Sequence, residues 1–267
     1  MPKIRVIPVI LLRHGSIVQS RNFNRYQVLG NPFKAVQRIT EWDSDELIYL
    51  DISSRRDLKA SMTDLLPEIA GRCRVPLTYG GGIDRLSLAE QCISLGADKF
   101  SINSFAIRRP EFIAECASMF GSQCVVVSVD VKRVNDSQWE VFADGGSEST
   151  GRNVFDWISE VTDRGAGEIL LNSIDQDGTM LGYDTELCER VIQSAKIPVI
   201  PLGGVGSWDD MVNLVQNHGA TAVAAANIFH HHENSVYRAR KHLIESGVLV
   251  RKPSLSKVTF HDAYGIL

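Results

Sequence analysis

Asp130 closes the apolar run Val125-Val126-Val127-Ser128-Val129-Asp130. A carboxylate at the end of a buried strand is a natural general acid or base, and the plainer reading is a cap for the next loop. Two glycine clusters, Gly80-Gly81-Gly82 and Gly203-Gly204, follow other apolar runs, and each is succeeded further on by a pair, Asn103-Ser104 or Ala226-Asn227. Glycines let backbone N–H groups approach an anion, and the start of a following helix adds a positive dipole. Gly81, Gly82, Asn103 and Ser104 are therefore candidate phosphate binders, and Gly203, Gly204, Ala226 and Asn227 are a second set. Two sets imply a phosphorylated small molecule with phosphates at two ends; tight turns without a ligand are the alternative. Asp177, in Asp177-Gly178-Thr179, is expected to orient a substrate or phosphate hydroxyl, and Asp51 is a weaker candidate of the same kind.

A different group of charges stands at the other ends of the apolar runs. Arg5, Glu46, Lys99 and Glu168 each open one, and together they carry no net charge. Four such groups gathered at one end of a fold satisfy one another, which buried charges require. Read from the residues alone, they make a structural ion-pair plug. His230-His231-His232 does not suggest a metal site, because three successive residues cannot converge on one ion from regular structure, and no cysteine or carboxylate cluster joins them. A solvated loop start is expected there, and neither a metal nor a cofactor is implied.

The elements that must place these residues follow from periodicity. Strands are predicted over Ile4–Leu11, Glu46–Ile52, Val75–Tyr79, Lys99–Asn103, Gln123–Asp130, Glu168–Asn172, Ile197–Leu202 and Ala222–Ala226. Helices are predicted over Pro32–Trp42, Ser61–Ala70, Leu86–Leu95, Pro110–Phe120, Val154–Asp163, Glu186–Ser194, Trp208–Asn217 and Ser235–Ser246. Strand and helix alternate throughout, which means right-handed crossovers and a parallel sheet. Eight units fit a closed (β/α)8 TIM barrel, in which the chemistry lies at the C-terminal ends of the strands. An internal repeat supports closure. Pro76–Ile83 aligns with Pro198–Val205, Gly96-Ala97 with Gly219-Ala220, and Glu46-Leu47-Ile48 with Glu168-Ile169-Leu170, as two half-barrels would. The barrel is expected over residues 1–250 with a tail over 251–267, and Gln138–Gly151 reads as a hairpin or loop turning at Gly145-Gly146.

Composition narrows the class of function. The 267 residues carry 28 Lys+Arg against 32 Asp+Glu, a net charge of −4, with 44% hydrophobic residues. No basic tract or domain points to nucleic acid or an anionic membrane surface, and no stretch is apolar over a membrane-spanning length. The five cysteines, Cys73, Cys92, Cys116, Cys124 and Cys188, are odd in number and form no C-x-x-C pair; with an N-terminus unlike a signal peptide, they predict reduced thiols in the cytoplasm.

Several blocks are longer than chance allows: Tyr79-Gly80-Gly81-Gly82-Ile83, Gly96–Asn103, Phe120-Gly121-Ser122-Gln123, Gly165–Leu171 and Asp177-Gly178-Thr179. Over about residues 3–250 the chain resembles the cyclase subunit (HisF) of imidazole glycerol phosphate synthase. That family is a (β/α)8 barrel whose floor docks a glutaminase (HisH-like) subunit. Ammonia released there passes a charged gate and travels along the barrel axis to a bisphosphate substrate. The resemblance implies that Arg5, Glu46, Lys99 and Glu168 are the gate, and that Asp98 faces the glutaminase.

The departures from that family are as informative as the matches. The family pairs the residue at Asp130 with a second aspartate, and here that position is Leu11. Leucine cannot exchange a proton, and losing one such group costs about 10²–10⁴-fold in rate. A substrate-binding lysine of the family is Gln19 here. The resemblance therefore implies retained ammonia delivery with impaired or replaced cyclisation. Similar barrels in surface-polysaccharide clusters are thought to feed ammonia to a separate sugar amidotransferase. A working histidine-pathway cyclase and a non-catalytic activator of a glutaminase are the alternatives.

Overall fold

The computed structural model describes residues 3–53, 55–231 and 233–253, and only the backbone over 55–61. In chain order the elements are β1 (Arg5–Arg13), β2 (Ser16–Arg21), β3 (Arg25–Gly30), α1 (Pro32–Glu41), β4 (Leu47–Asp51), α2 (Arg55–Arg72), β5 (Leu77–Gly80), α3 (Leu86–Ser94) and β6 (Lys99–Ile102). They continue with α4 (Ser104–Arg108), α5 (Glu111–Phe120), a 3-10 turn at Ser122–Cys124, β7 (Val125–Asn135), β8 (Gln138–Ala143), β9 (Glu148–Asn153) and α6 (Val154–Asp163). The last are β10 (Glu168–Ser173), α7 (Thr185–Ser194), β11 (Val199–Leu202), α8 (Trp208–His218), β12 (Ala222–Ala225), α9 (Ile228–His231) and α10 (Ser235–Glu245).

Eight strands run parallel in the order β11-β10-β7-β6-β5-β4-β1, with β12 pairing β1 on its other side and lying beside β11, so the sheet curls into a (β/α)8-type barrel. Alternation along each strand sorts the side chains into two apolar masses. From β1, Val6, Ile10 and Leu12 face the helices. Ile7, Val9 and Leu11 face inward against Ile48, Val126, Leu170 and Ile200. Helix starts are fixed by side-chain caps: Asn31 accepts from the N–H groups of Phe33 and Lys34, and Ser207 and Asp210 form a capping box on α8.

All eight predicted strands and all eight predicted helices are present, most with shifted ends and α6 with the predicted bounds. Four findings concern the connections. The segment after β1 is a β2–β3 hairpin, pairing antiparallel with β1 through Leu11↔Val18. β7 does not end at Asp130 but runs on to Asn135, where it turns into β8 and β9; Gly145-Gly146 does lie between those two strands. Asp177 lies four residues beyond β10, which stops at Ser173. His230 and His231 belong to the short helix α9 rather than a solvated loop, and His232 lies outside the described residues. Both ring nitrogens of His230 are buried with no partner among the described residues, and burial first, then the nearby Arg38 and His231 charges, lowers its pKa to about 4.

Of the tail, residues 251–253 are described. Arg251 pairs with Asp43 and Asp45, which also hold the fully buried Arg240 of α10. Residues 254–267 lie outside the described set.

Candidate functional site

At the floor, where the strands begin, the four predicted charges form a closed ring. Arg5 Nη1 donates to Glu46 at 2.6 Å and to Glu168 at 2.7 Å. Lys99 Nζ donates to the other oxygens of the same carboxylates, at 3.0 and 2.7 Å. Three ring members sit at the first residues of β1, β6 and β10, and Glu46 immediately precedes β4. Burial works to lower the pKa of Lys99, but the hydrogen bond to Glu168 and the charges of Glu46 and Glu168 outweigh it, and the net shift is upward. Arg5 is raised by the same balance, so both cations stay charged through the neutral range. Asp98 is exposed on this side and accepts from the Leu77 N–H at 2.8 Å.

At the mouth, the predicted residues line two cavities. The larger, about 960 Å³, is bordered by Leu11, Gly81, Gly82, Asn103, Ser104, Asp130, Asp177 and Ala226. The smaller, about 20 Å³, lies among Asp177, Gly178, Gly203, Gly204, Ala226 and Asn227 and has room for about one water. The two half-barrel turns are thus not equivalent: the first opens into the main cavity and the second is nearly filled.

Three residues bordering the second, Asp177, Gly178 and Asn227, touch the β2–β3 hairpin. Ser20 Oγ donates to Asp177 Oδ2 at 2.6 Å, the Phe23 N–H donates to the same oxygen at 3.2 Å, and Asn227 Nδ2 donates to the Ser20 carbonyl at 2.9 Å. Gly178 has φ +68° and lies directly under the hairpin backbone, where a Cβ would collide with the Ser20 carbonyl oxygen and Arg21 Cα. Gly204, at φ +94°, is packed as closely against the Gly182 carbonyl. Asp177, Gly178 and Asn227 are committed to holding the hairpin in this structure. Burial raises the pKa of Asp177, against the hydrogen bonds from Ser20 and Phe23.

Asp130 is 5% exposed. Its Oδ2 accepts from Asn103 Nδ2 at 2.7 Å, and Asn172 also hydrogen-bonds it. Desolvation pushes its pKa up to about 7; the charge of Asp177 adds to this and the two amides oppose it. A carboxyl group balanced near neutrality can both give and take a proton. Leu11 is 8% exposed and packs in the barrel's inner apolar cluster while lining the same cavity. The carboxyl closest to Asp130 in electrostatic terms is Asp177, already bonded to the hairpin. Asp51 lines the cavity too, with Oδ1 accepting the Ser53 N–H at 2.9 Å.

Two cavity residues were not placed there by the sequence. Asn172 was legible as the lone amide in the buried run Glu168-Ile169-Leu170-Leu171-Asn172-Ser173. Arg13 was not, because its direction depends on β1 extending into a hairpin ladder that the polar sequence of β2 and β3 does not announce.

Among the described residues, no group of three or more His, Cys, Asp or Glu is placed to hold a metal ion, and no helix is long and apolar enough to cross a membrane. A family model described as histidine biosynthesis protein matches residues 5–235. The chain belongs to that family, and its barrel with a polar cavity at the mouth is the frame of an enzyme of that kind.

Proposed function

We propose that this member of the histidine biosynthesis family is a HisF-like synthase subunit that receives ammonia from a glutaminase partner docked at the floor. We further infer that the ammonia is diverted at the mouth to an acceptor other than the cyclisation substrate, with a sugar amidotransferase of surface-polysaccharide synthesis as the favoured acceptor. In this reading Arg5, Glu46, Lys99 and Glu168 gate the inlet. Their support is the closed ring of four ion pairs around the start of the barrel axis, with each cation bridging both carboxylates.

The observation that carries the diversion is Leu11. It occupies an inward position at the cavity containing Asp130, so the proton-transfer couple of a cyclase has one member here. Asp177 does not stand in for the second member while it holds Ser20 and Phe23. The second reading, a histidine-pathway cyclase, draws on the family match and on Asp130, whose pKa near 7 leaves one competent acid–base group.

The purified chain with excess ammonium salt and the aminoimidazole ribonucleotide bisphosphate of that pathway separates the two. The proposal expects turnover at least about 10²-fold below that of a complete acid–base pair. Robust turnover by the unaltered chain overturns it in favour of the cyclase.

A further inference from the structure

The main cavity is bordered by five carboxylates, Asp51, Asp84, Asp130, Asp144 and Asp177, and by two described cations, Arg13 and Arg85. Arg85 is paired with Asp84 at 2.9 Å. Arg13 makes no ion pair with any described residue, although carboxylates border the same cavity. Its guanidinium carbon instead lies over the Tyr26 ring, 4.1 Å from the centroid. Tyr26 is itself anchored: its hydroxyl donates to the Phe23 carbonyl at 2.6 Å, and its ring packs against the inner apolar cluster that includes Leu11. An aromatic face satisfies the guanidinium through its π-cloud and leaves the in-plane N–H donors unused. A half-buried arginine held in one orientation with free donors is a bidentate receptor for an oxyanion.

We infer that Arg13, positioned by Tyr26, is the residue that recognises a phosphate group on the ligand of this mouth. The inference rests on the reading of the mouth as the substrate end of the barrel. It also goes beyond that reading, since it holds whether the ligand is converted or only bound. Arg13 and Leu11 are two residues apart on β1 and both line the cavity, so the phosphate sits above Leu11. The site favours phosphate over carboxylate because a tetrahedral dianion keeps two oxygens for the guanidinium fork and presents further oxygens, and a second negative charge, to the other polar groups of the cavity.

The experiment titrates inorganic phosphate, and acetate in parallel, into the isolated full-length chain by calorimetry at constant ionic strength. No glutaminase or turnover is involved, so its outcome is separate from that of the cyclisation assay. Phosphate is expected to bind more tightly than acetate, about tenfold or more weakly to Arg13→Gln, and with intermediate affinity to Arg13→Lys, which keeps the charge and loses the fork. Tyr26→Leu is expected to weaken binding about threefold by releasing the guanidinium from its stack. Thermal unfolding of each variant checks that the barrel is intact. Phosphate that binds Arg13→Gln within twofold of the unaltered chain overturns the inference and assigns the anion to the backbone loops. Equal binding of acetate overturns the choice of phosphate, and no phosphate binding to the unaltered chain overturns both.

Discussion

The floor and the mouth of this barrel hold charge in opposite ways. At the floor two cations and two carboxylates share four contacts of 2.6–3.0 Å, and each charge has a partner on both sides. At the mouth Asp130 is held by amides rather than cations, and the Oδ1 atoms of Asn103 and Asn172 are buried without a partner among the described residues. The floor is a finished network, whereas the mouth carries acceptors that only another molecule or a proton can complete. The difference separates an end built to keep its state from one built to change it.

The largest expected effect comes from restoring what the mouth lacks. Leu11→Asp should raise cyclisation with ammonium salt by about 10² or more, measured as product formation at fixed substrate. An unchanged rate would mean that the mouth differs from a cyclase by more than one proton-transfer group. Next is Gly178→Ala, which forces a Cβ into the hairpin backbone at a positive φ and costs about 1–3 kcal/mol locally. Hydrogen exchange should quicken over residues 16–30 and stay unchanged in the floor strands; equal quickening at both ends would erase the contrast.

A floor variant tests the other half of the comparison. Glu168→Gln leaves Arg5 and Lys99 sharing one carboxylate, and these partly buried groups should lose about 2 kcal/mol of stability in urea unfolding. A silent variant would show that the ring contributes nothing to stability.

The remaining test is the pH response of Asp130. Its folded pKa, about 7, lies above the reference 3.8, so the folded state binds the proton more tightly. That group's contribution to stability therefore declines as pH rises from about 4 to about 7 and levels off above. Asp130→Asn removes the slope, so the variant should gain on the parent between pH 5 and pH 8. The floor cations, raised from already high values, should add no slope there.

The frame was legible because Val- and Ile-rich runs buried on both faces leave parallel strands as the simple reading, and the Pro76–Ile83 and Pro198–Val205 repeat points to closure. The turns after the strands fix where the glycines fall, whereas Asp130 lies inside β7, which the sequence reading ended five residues early. What escaped notice depends on long-range packing. That Asp177 anchors a hairpin shows only when Ser20, far away in sequence, is seen bonded to it. Arg13 has no direction until β1 continues beyond the barrel as a ladder with β2. His230 sits in a polar triplet, yet its ring is enclosed by helix packing that no local pattern reveals.

Ile4 bridges Val250 in parallel, and the Ile4 N–H donates to the Leu249 carbonyl at 2.8 Å. The first strand and the segment after the last helix therefore leave the barrel side by side, on the face that carries the ionic ring. An affinity tag or fluorescent fusion joined close to either of these segments would crowd that face. A reporter inserted at the turn between Asn135 and Gln138 would instead project from the opposite end.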